Sequence, residues 1–202
     1  RENDGEIIYE SPQRVMTFAP GLAGMHQYDN AATAIACIDR LPHYNISNAQ
    51  IREGLARTSW PGRLQELTHG KYRNLLAPHI ELWLDGGHNP QGGEVLASWL
   101  KEQAKEIHLV CGMVKGKDSI EYFKPLAAVA RECHVIAIPD ERDSQTAASL
   151  LAAAQTAGLN ASASVTLEKA LQTVAARAKT PAIACICGSL YLAGRVLATN
   201  GE

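Results

Sequence analysis

From Ile80 onward, short apolar runs alternate with longer segments in which apolar positions recur every three or four residues. The runs predict strands near 80–84, 107–112, 133–138, 161–165 and 182–187, and the periodic segments predict helices near 91–104, 119–131, 144–157, 167–178 and 189–199. Strand and helix in regular alternation require an α/β fold, a mainly parallel sheet with helices on both faces. Upstream the pattern differs. Ile7-Ile8-Tyr9 and Arg14 to Phe18 read as two short edge strands broken at Ser11-Pro12-Gln13, and helical patterns follow from Asn30 to Leu41 and from Asn48 to Arg57, the second capped by Ser47 or Asn48. Alanines 31, 32, 34 and 36 in the first of these allow close packing or a flat ligand nearby. Trp60-Pro61-Gly62-Arg63-Leu64-Gln65 holds a Pro-Gly turn that reads as a hinge. Residues 66–78 are polar and irregular, so two units are expected, 1–64 and 65–202.

The alternating region begins with its most informative stretch, Leu84-Asp85-Gly86-Gly87-His88-Asn89-Pro90. The strand ending at Leu84 hands a carboxylate, an imidazole and an amide to a tight turn, and Pro90 suits the first turn of the helix beyond it. Ligands of open α/β sheets bind at such carboxyl ends of strands, near helix N-termini. Asp85 and Asn89 could equally serve only as helix caps. Ser189, in Cys187-Gly188-Ser189-Leu190, stands at the last strand-to-helix junction and reads as a cap or as a donor into the same crevice.

Composition narrows the field. The chain has 202 residues, 46% of them apolar, enough for a substantial core. A formal charge of −2 offers no basic field, so nucleic acid is not expected as a partner. The longest apolar stretch, Ile183 to Ala193, is too short to span a bilayer, and Arg1 to Gly5 is charged rather than signal-like. No membrane contact is therefore expected, and the location expected is the cytoplasm. Five cysteines without metal-ligand spacing read as buried, reduced thiols, and Cys185-Ile186-Cys187 lacks the further ligands that a zinc site needs. His43, His69, His79, His108 and His134 likewise lack partners at metal spacing and are expected at surface or edge positions. No metal site is expected within the chain. Gly112 to Ser119 imitates a phosphate loop but has the wrong spacing. It reads as a strand-to-helix loop with Asp118 or Ser119 as cap, or as a loop lining the crevice. No G-x-S-x-G elbow surrounds Ser189, which argues against a nucleophile there.

Four motifs, H-Q-Y-D-N-A-A-T-A, W-P-G-R-L-Q, L-D-G-G-H-N-P and C-G-S-L-Y-L-A-G, occur in series. In this order they closely resemble the C-terminal half of folylpolyglutamate synthetase/dihydrofolate synthetase, a member of the Mur ligase family, over nearly all of Gly21 to Leu197. The family usually writes D-G-A-H-N, so Gly87 stands where an alanine is common, a change that adds backbone freedom without removing a ligand group. The resemblance implies the tail of a central ATPase domain (1–64) followed by a Mur ligase C-terminal Rossmann-like domain (65–202). The family's phosphate loop, magnesium ligands and modified lysine are not in these residues, so a fragment that is inactive alone is expected.

The activity the resemblance implies is an ATP-dependent amide ligase of folate metabolism. ATP activates a carboxylate of dihydropteroate or a folate as an acyl phosphate, which the amine of L-glutamate attacks, with ATP and Mg2+ as cofactors and a monomer as the working form. It further implies that Asn30 meets the adenine, Arg63 the phosphates and Asp85 the ribose hydroxyls, with His88 and Ser189 toward the incoming glutamate. The nucleotide would then be gripped across the hinge. A non-catalytic nucleotide-binding or regulatory module on the same fold is the alternative. A dinucleotide-dependent oxidoreductase is disfavoured because no G-x-G-x-x-G follows the first strand of the alternating region.

Overall fold

The apolar-polar alternation of Ile80–Leu84 becomes a strand, β5, in which Ile80, Leu82 and Leu84 are buried and Glu81 and Trp83 half-buried. The computed structural model describes residues 2–3, 6–41 and 43–201. Of the charged stretch Arg1 to Gly5, the residues Arg1, Asp4 and Gly5 lie outside the described residues. The chain divides into two units, Arg1–Pro61 and Gly62–Glu202.

In the first unit, β1 (Glu2–Asn3), β2 (Glu6–Glu10) and β3 (Val15–Phe18) form an antiparallel sheet. Helices α1 (His26–Ile38) and α2 (Asn48–Arg57) follow, and Met16, Phe18, Ala31, Ile35 and Ile51 make the core. The first helix starts at His26, not at Asn30, and no side chain caps it. The Ser47 cap of α2 is a capping box completed by Gln50. Arg14 Nε, 2.7 Å from Asp39, holds that carboxyl below the usual carboxylate range, with Ser11 and Tyr9 also donating to it.

The second unit opens with β4 (Gln65–Glu66), a two-residue strand antiparallel to β5, and a 3-10 turn at Arg73–Leu75. Both fall where the sequence reads as irregular. Beyond β5 come α3 (Pro90–Glu102), β6 (Glu106–Cys111), α4 (Ser119–Ala127), β7 (Glu132–Val135), α5 (Ala147–Thr156), β8 (Ala161–Ala163), α6 (Leu167–Arg177), β9 (Ala182–Cys187) and α7 (Leu190–Asn200). The sheet order is β4-β5-β9-β6-β7-β8, parallel throughout except for β4. The alternating pattern of β5 sorts the helices. Leu82 and Leu84 join Leu171 and Val174 of α6 and Leu192 and Val196 of α7 in one core, whereas Trp83 turns the other way, its ring 4.4 Å from that of Trp99 on α3.

Three expectations need correction. His108 and His134 are buried, 0% and 1% exposed, because polar groups meet them inside the sheet. His108 Nδ1 lies 2.9 Å from Glu132 and its Nε2 2.7 Å from Glu106, while Arg177 of α6 pairs with the second Glu132 oxygen. His134 Nδ1 meets Ser162 Oγ at 3.0 Å, and its Nε2 stands 3.3 Å from Glu132 without hydrogen-bond alignment. Cys37 is exposed, since α1 turns it away from its core, whereas Cys111, Cys133, Cys185 and Cys187 are buried. Finally, Gly62 to Leu64 pack with the second unit rather than the first, for the hydrogen bonds described next.

Candidate functional site

The site grows from the carboxyl ends of two neighbouring parallel strands. Leu84 of β5 pairs with Ile186 of β9, and the next amide, Asp85 N–H, donates to the Ile186 carbonyl at 2.9 Å. Both chains then leave the sheet together. On the β5 side, Asn89 caps α3, its Oδ1 accepting from Gly92 N–H at 2.8 Å, with Pro90 in the first turn. Asn89→Ala should therefore cost about 1 kcal/mol of stability. Chemical denaturation that detects no loss would mean that this cap contributes nothing.

Asp85 does not cap that helix. It is 8% exposed, and its two oxygens accept from backbone amides, Oδ1 from Gly87 at 2.8 Å and Oδ2 from Leu64 at 3.1 Å. Burial pushes its carboxyl up from the usual range; the two amides and Arg63 pull it down less. A carboxyl whose folded pKa is raised above its unfolded value costs stability as pH rises through that interval, so an ionised Asp85 is not kept for stability. Gly87 contributes space rather than backbone freedom. A Cβ there would stand 2.8 Å from Asp85 Oδ1, so the absence of a side chain lets the carboxylate fold back over its own turn.

His88 is half-buried, with Nδ1 3.2 Å from the Gly86 carbonyl. In the neutral ring Nδ1 then carries the proton, and Nε2 is left with its lone pair. On the β9 side, Ser189 is 2% exposed and caps α7, its Oγ accepting from Tyr191 N–H at 3.1 Å while keeping its own proton to donate. The capping reading is thus realised, and it leaves a donor. Gly86 and Gly62 press against Leu190 and Ala193 at the start of α7, which brings the Asp85 turn, the Arg63 turn and Ser189 to one end of the sheet.

Arg63 is half-buried, and its guanidinium makes no hydrogen bond or ion pair among the described residues. Asn30 belongs to the first unit, exposed on α1 and donating to Gln27 Oε1 at 3.1 Å. The loop Gly112 to Ser119 is a capped strand-to-helix connection, Asp118 Oδ1 accepting from Glu121 N–H at 3.1 Å. Among the described residues no cluster of His, Cys, Asp or Glu is arranged to hold a metal ion, and no helix is long and apolar enough to cross a membrane. The Leu64–Asp85 bond escaped sequence reasoning. Its partners stand 21 residues apart in different elements, and only the repeated glycines marked that backbones approach there.

Residues 68–199 match the family described as dihydrofolate synthetase, C-terminal domain. Among curated relatives, the Bacillus subtilis dihydrofolate synthase/folylpolyglutamate synthase is 34% identical over 118 residues, 56% of this chain and 25% of that protein. Among solved structures, E. coli FolC in complex with DHPP and ADP superposes with a TM-score of 0.81 at 23% identity, covering 98% of this chain and 44% of that one. A bifunctional folylpolyglutamate synthase/dihydrofolate synthase with Mn, AMPPNP and L-glutamate bound gives 0.72 at 24% identity, covering 94% and 43%. The chain thus spans less than half the length of the proteins it resembles.

Proposed function

Because the chain belongs to the dihydrofolate synthetase C-terminal domain family, we propose that it is the C-terminal part of an ATP-dependent ligase that adds L-glutamate to dihydropteroate, to folates or to both through an acyl phosphate. The observation that carries this reading is the convergence of an unpaired arginine, a buried carboxylate, an imidazole and a hydroxyl at the carboxyl ends of β5 and β9. Titratable groups desolvated at that end of an α/β sheet are where ligands are bound. The solved structures of similar proteins with ADP, and with AMPPNP and L-glutamate, support a nucleotide and an amino acid as the ligands.

The reaction builds negative charge on transferring phosphoryl oxygens and then on a tetrahedral carbon, so fixed cations and donors are needed there. A guanidinium can fork onto phosphate oxygens, and among the described residues Arg63 has no hydrogen bond or ion pair to give up. Asp85 has acceptor capacity left after its two amide bonds, which suits a ribose diol, and the Asn30 amide suits an adenine edge. His88 and Ser189 supply a ring nitrogen and a hydroxyl for the glutamate. ATP with Mg2+ is the proposed cofactor pair. Among the described residues no cluster would hold a metal ion, so its ligands would come from outside this chain.

The test is kinetic and uses the full-length protein. Arg63→Ala should lower kcat/KM for ATP by about 2–4 kcal/mol, judged from removal of comparable transition-state donors, while leaving the melting temperature in place. An unchanged kcat/KM would make Arg63 a surface turn residue. Wild-type protein that binds ATP but forms no glutamyl product would favour the non-catalytic module instead.

A further inference from the structure

We propose that Asp85 is a positioning residue for Arg63, its carboxylate latching the turn at residues 62–65 to the end of β5 and so fixing where the guanidinium points. The role is separate from any ribose contact, but its consequence for ATP rests on the proposed ligase function.

Arg63 has no hydrogen bond or ion pair of its own among the described residues, so its direction is inherited from its backbone. That backbone is fixed on both sides. Before it, the Gly62 carbonyl accepts from Gly86 N–H at 2.7 Å, and Gly62 N–H donates to Gln65 Oε1 at 2.9 Å. After it, Leu64 N–H donates to Asp85 Oδ2 at 3.1 Å. Leu64 has a φ of 42°, a left-handed conformation that a branched side chain avoids. Such backbones persist only where their surroundings over-determine them. Here the surroundings are the burial of Leu64, 5% exposed, and the Asp85 oxygen on its amide. The other oxygen, held by Gly87 N–H at 2.8 Å, locks the carboxylate plane so that the first faces Leu64. Asp85 is itself tied to β9 through Ile186. The arginine turn is thereby referenced to the sheet through one side chain, which also draws the guanidinium electrostatically.

A double-mutant cycle in the full-length protein tests this, with Arg63→Ala, Asp85→Ala and both together, read as kcat/KM for ATP and as hydrogen exchange of residues 62–66. Asp85→Ala should cost at least about tenfold in kcat/KM and speed exchange of the Leu64 amide by about tenfold, and adding Arg63→Ala should then cost less than about twofold. The Asp85→Ala loss should persist with 2′,3′-dideoxy-ATP, which has no ribose hydroxyls. Asp85→Asn, isosteric but presenting N–H to one of the two amides, should behave alike and replaces Asp85→Ala if that variant does not fold. Losses that multiply, or a loss that vanishes with the dideoxy nucleotide, overturn the proposal. If Arg63→Ala alone has no effect, the phosphate role of Arg63 fails, and unchanged exchange at Leu64 then decides against the latch.

Discussion

Glu132→Ala is expected to destabilise the second unit by about 3–5 kcal/mol, the range for breaking a buried, charge-paired contact. Glu132 is 5% exposed and serves three partners: His108 at 2.9 Å, His134 at 3.3 Å and Arg177. Both ring nitrogens of His108 face carboxylate oxygens. Removing Glu132 leaves that ring half-paired in the sheet interior, whereas Arg177 can turn to solvent. For a chain of this size the loss corresponds to roughly 6–20 °C in melting temperature.

The same network gives the acid limb of stability its sign. Burial is the first influence on Glu132 and raises its carboxyl, but Arg177 and the two histidines together outweigh it and hold the group below its ordinary 4.5. Its contribution is present above that value and lost as pH falls through the lower folded one. Burial keeps His134 below its ordinary 6.5. Below 6.5 the unfolded chain takes up that proton before the folded one, so stability falls there too. Wild-type protein should therefore lose stability in two stages on acidification, and Glu132→Ala should show a shallower lower stage, to which Asp39, Glu81 and Glu168 still contribute. Melting curves from pH 7 to 3 that superpose after a constant offset would refute this account.

Gly188→Ala should be as damaging, about 3–5 kcal/mol from backbone strain and overpacking together. Gly188 has a φ of 99°, which an alanine adopts only with strain, and an added Cβ would stand 2.5 Å from Cys111 Sγ and 3.0 Å from the Gly112 carbonyl. In an open site the thiol would rotate away, but here it is buried and the carbonyl is backbone. Because Gly188 leads directly into Ser189, the site should suffer with the fold. A melting temperature within about 2 °C of wild type, no more than the shift that about 1 kcal/mol produces, would show that this junction has slack.

What was legible in the sequence followed its range. The strands Ile80–Leu84 and Ala182–Cys187 fall at the expected residues because their burial repeats along the chain itself, and α3 begins where Asn89 and Pro90 announce it. Helix α1 was misplaced at its start because Met25, at its N-cap, offers no capping side chain. Strand β4 spans two residues, too few to carry a period, and exists because β5 pairs with it. The buried histidines were hidden for the same reason. His108 looks polar in its own run, and its partner Glu132 lies in the next strand, 24 residues away. At the site, the residue types at the two strand ends were visible, but which groups Asp85 accepts from was not, since that depends on how the residues 62–65 fold against β5.

The place of β9 in the sheet has a consequence for how the domain is made. It is the last strand in chain order, yet it sits between β5 and β6, pairing Ile80 with Ala182 and Glu106 with Ala182. The contacts that join the sheet thus have a high contact order and close late. On the ribosome, β5 and the β6-β7-β8 ribbon must wait as two separate pieces, each with an apolar edge unpaired, until residues 182–187 emerge. That interval is when the nascent chain is most exposed to edge-to-edge aggregation and most in need of a chaperone.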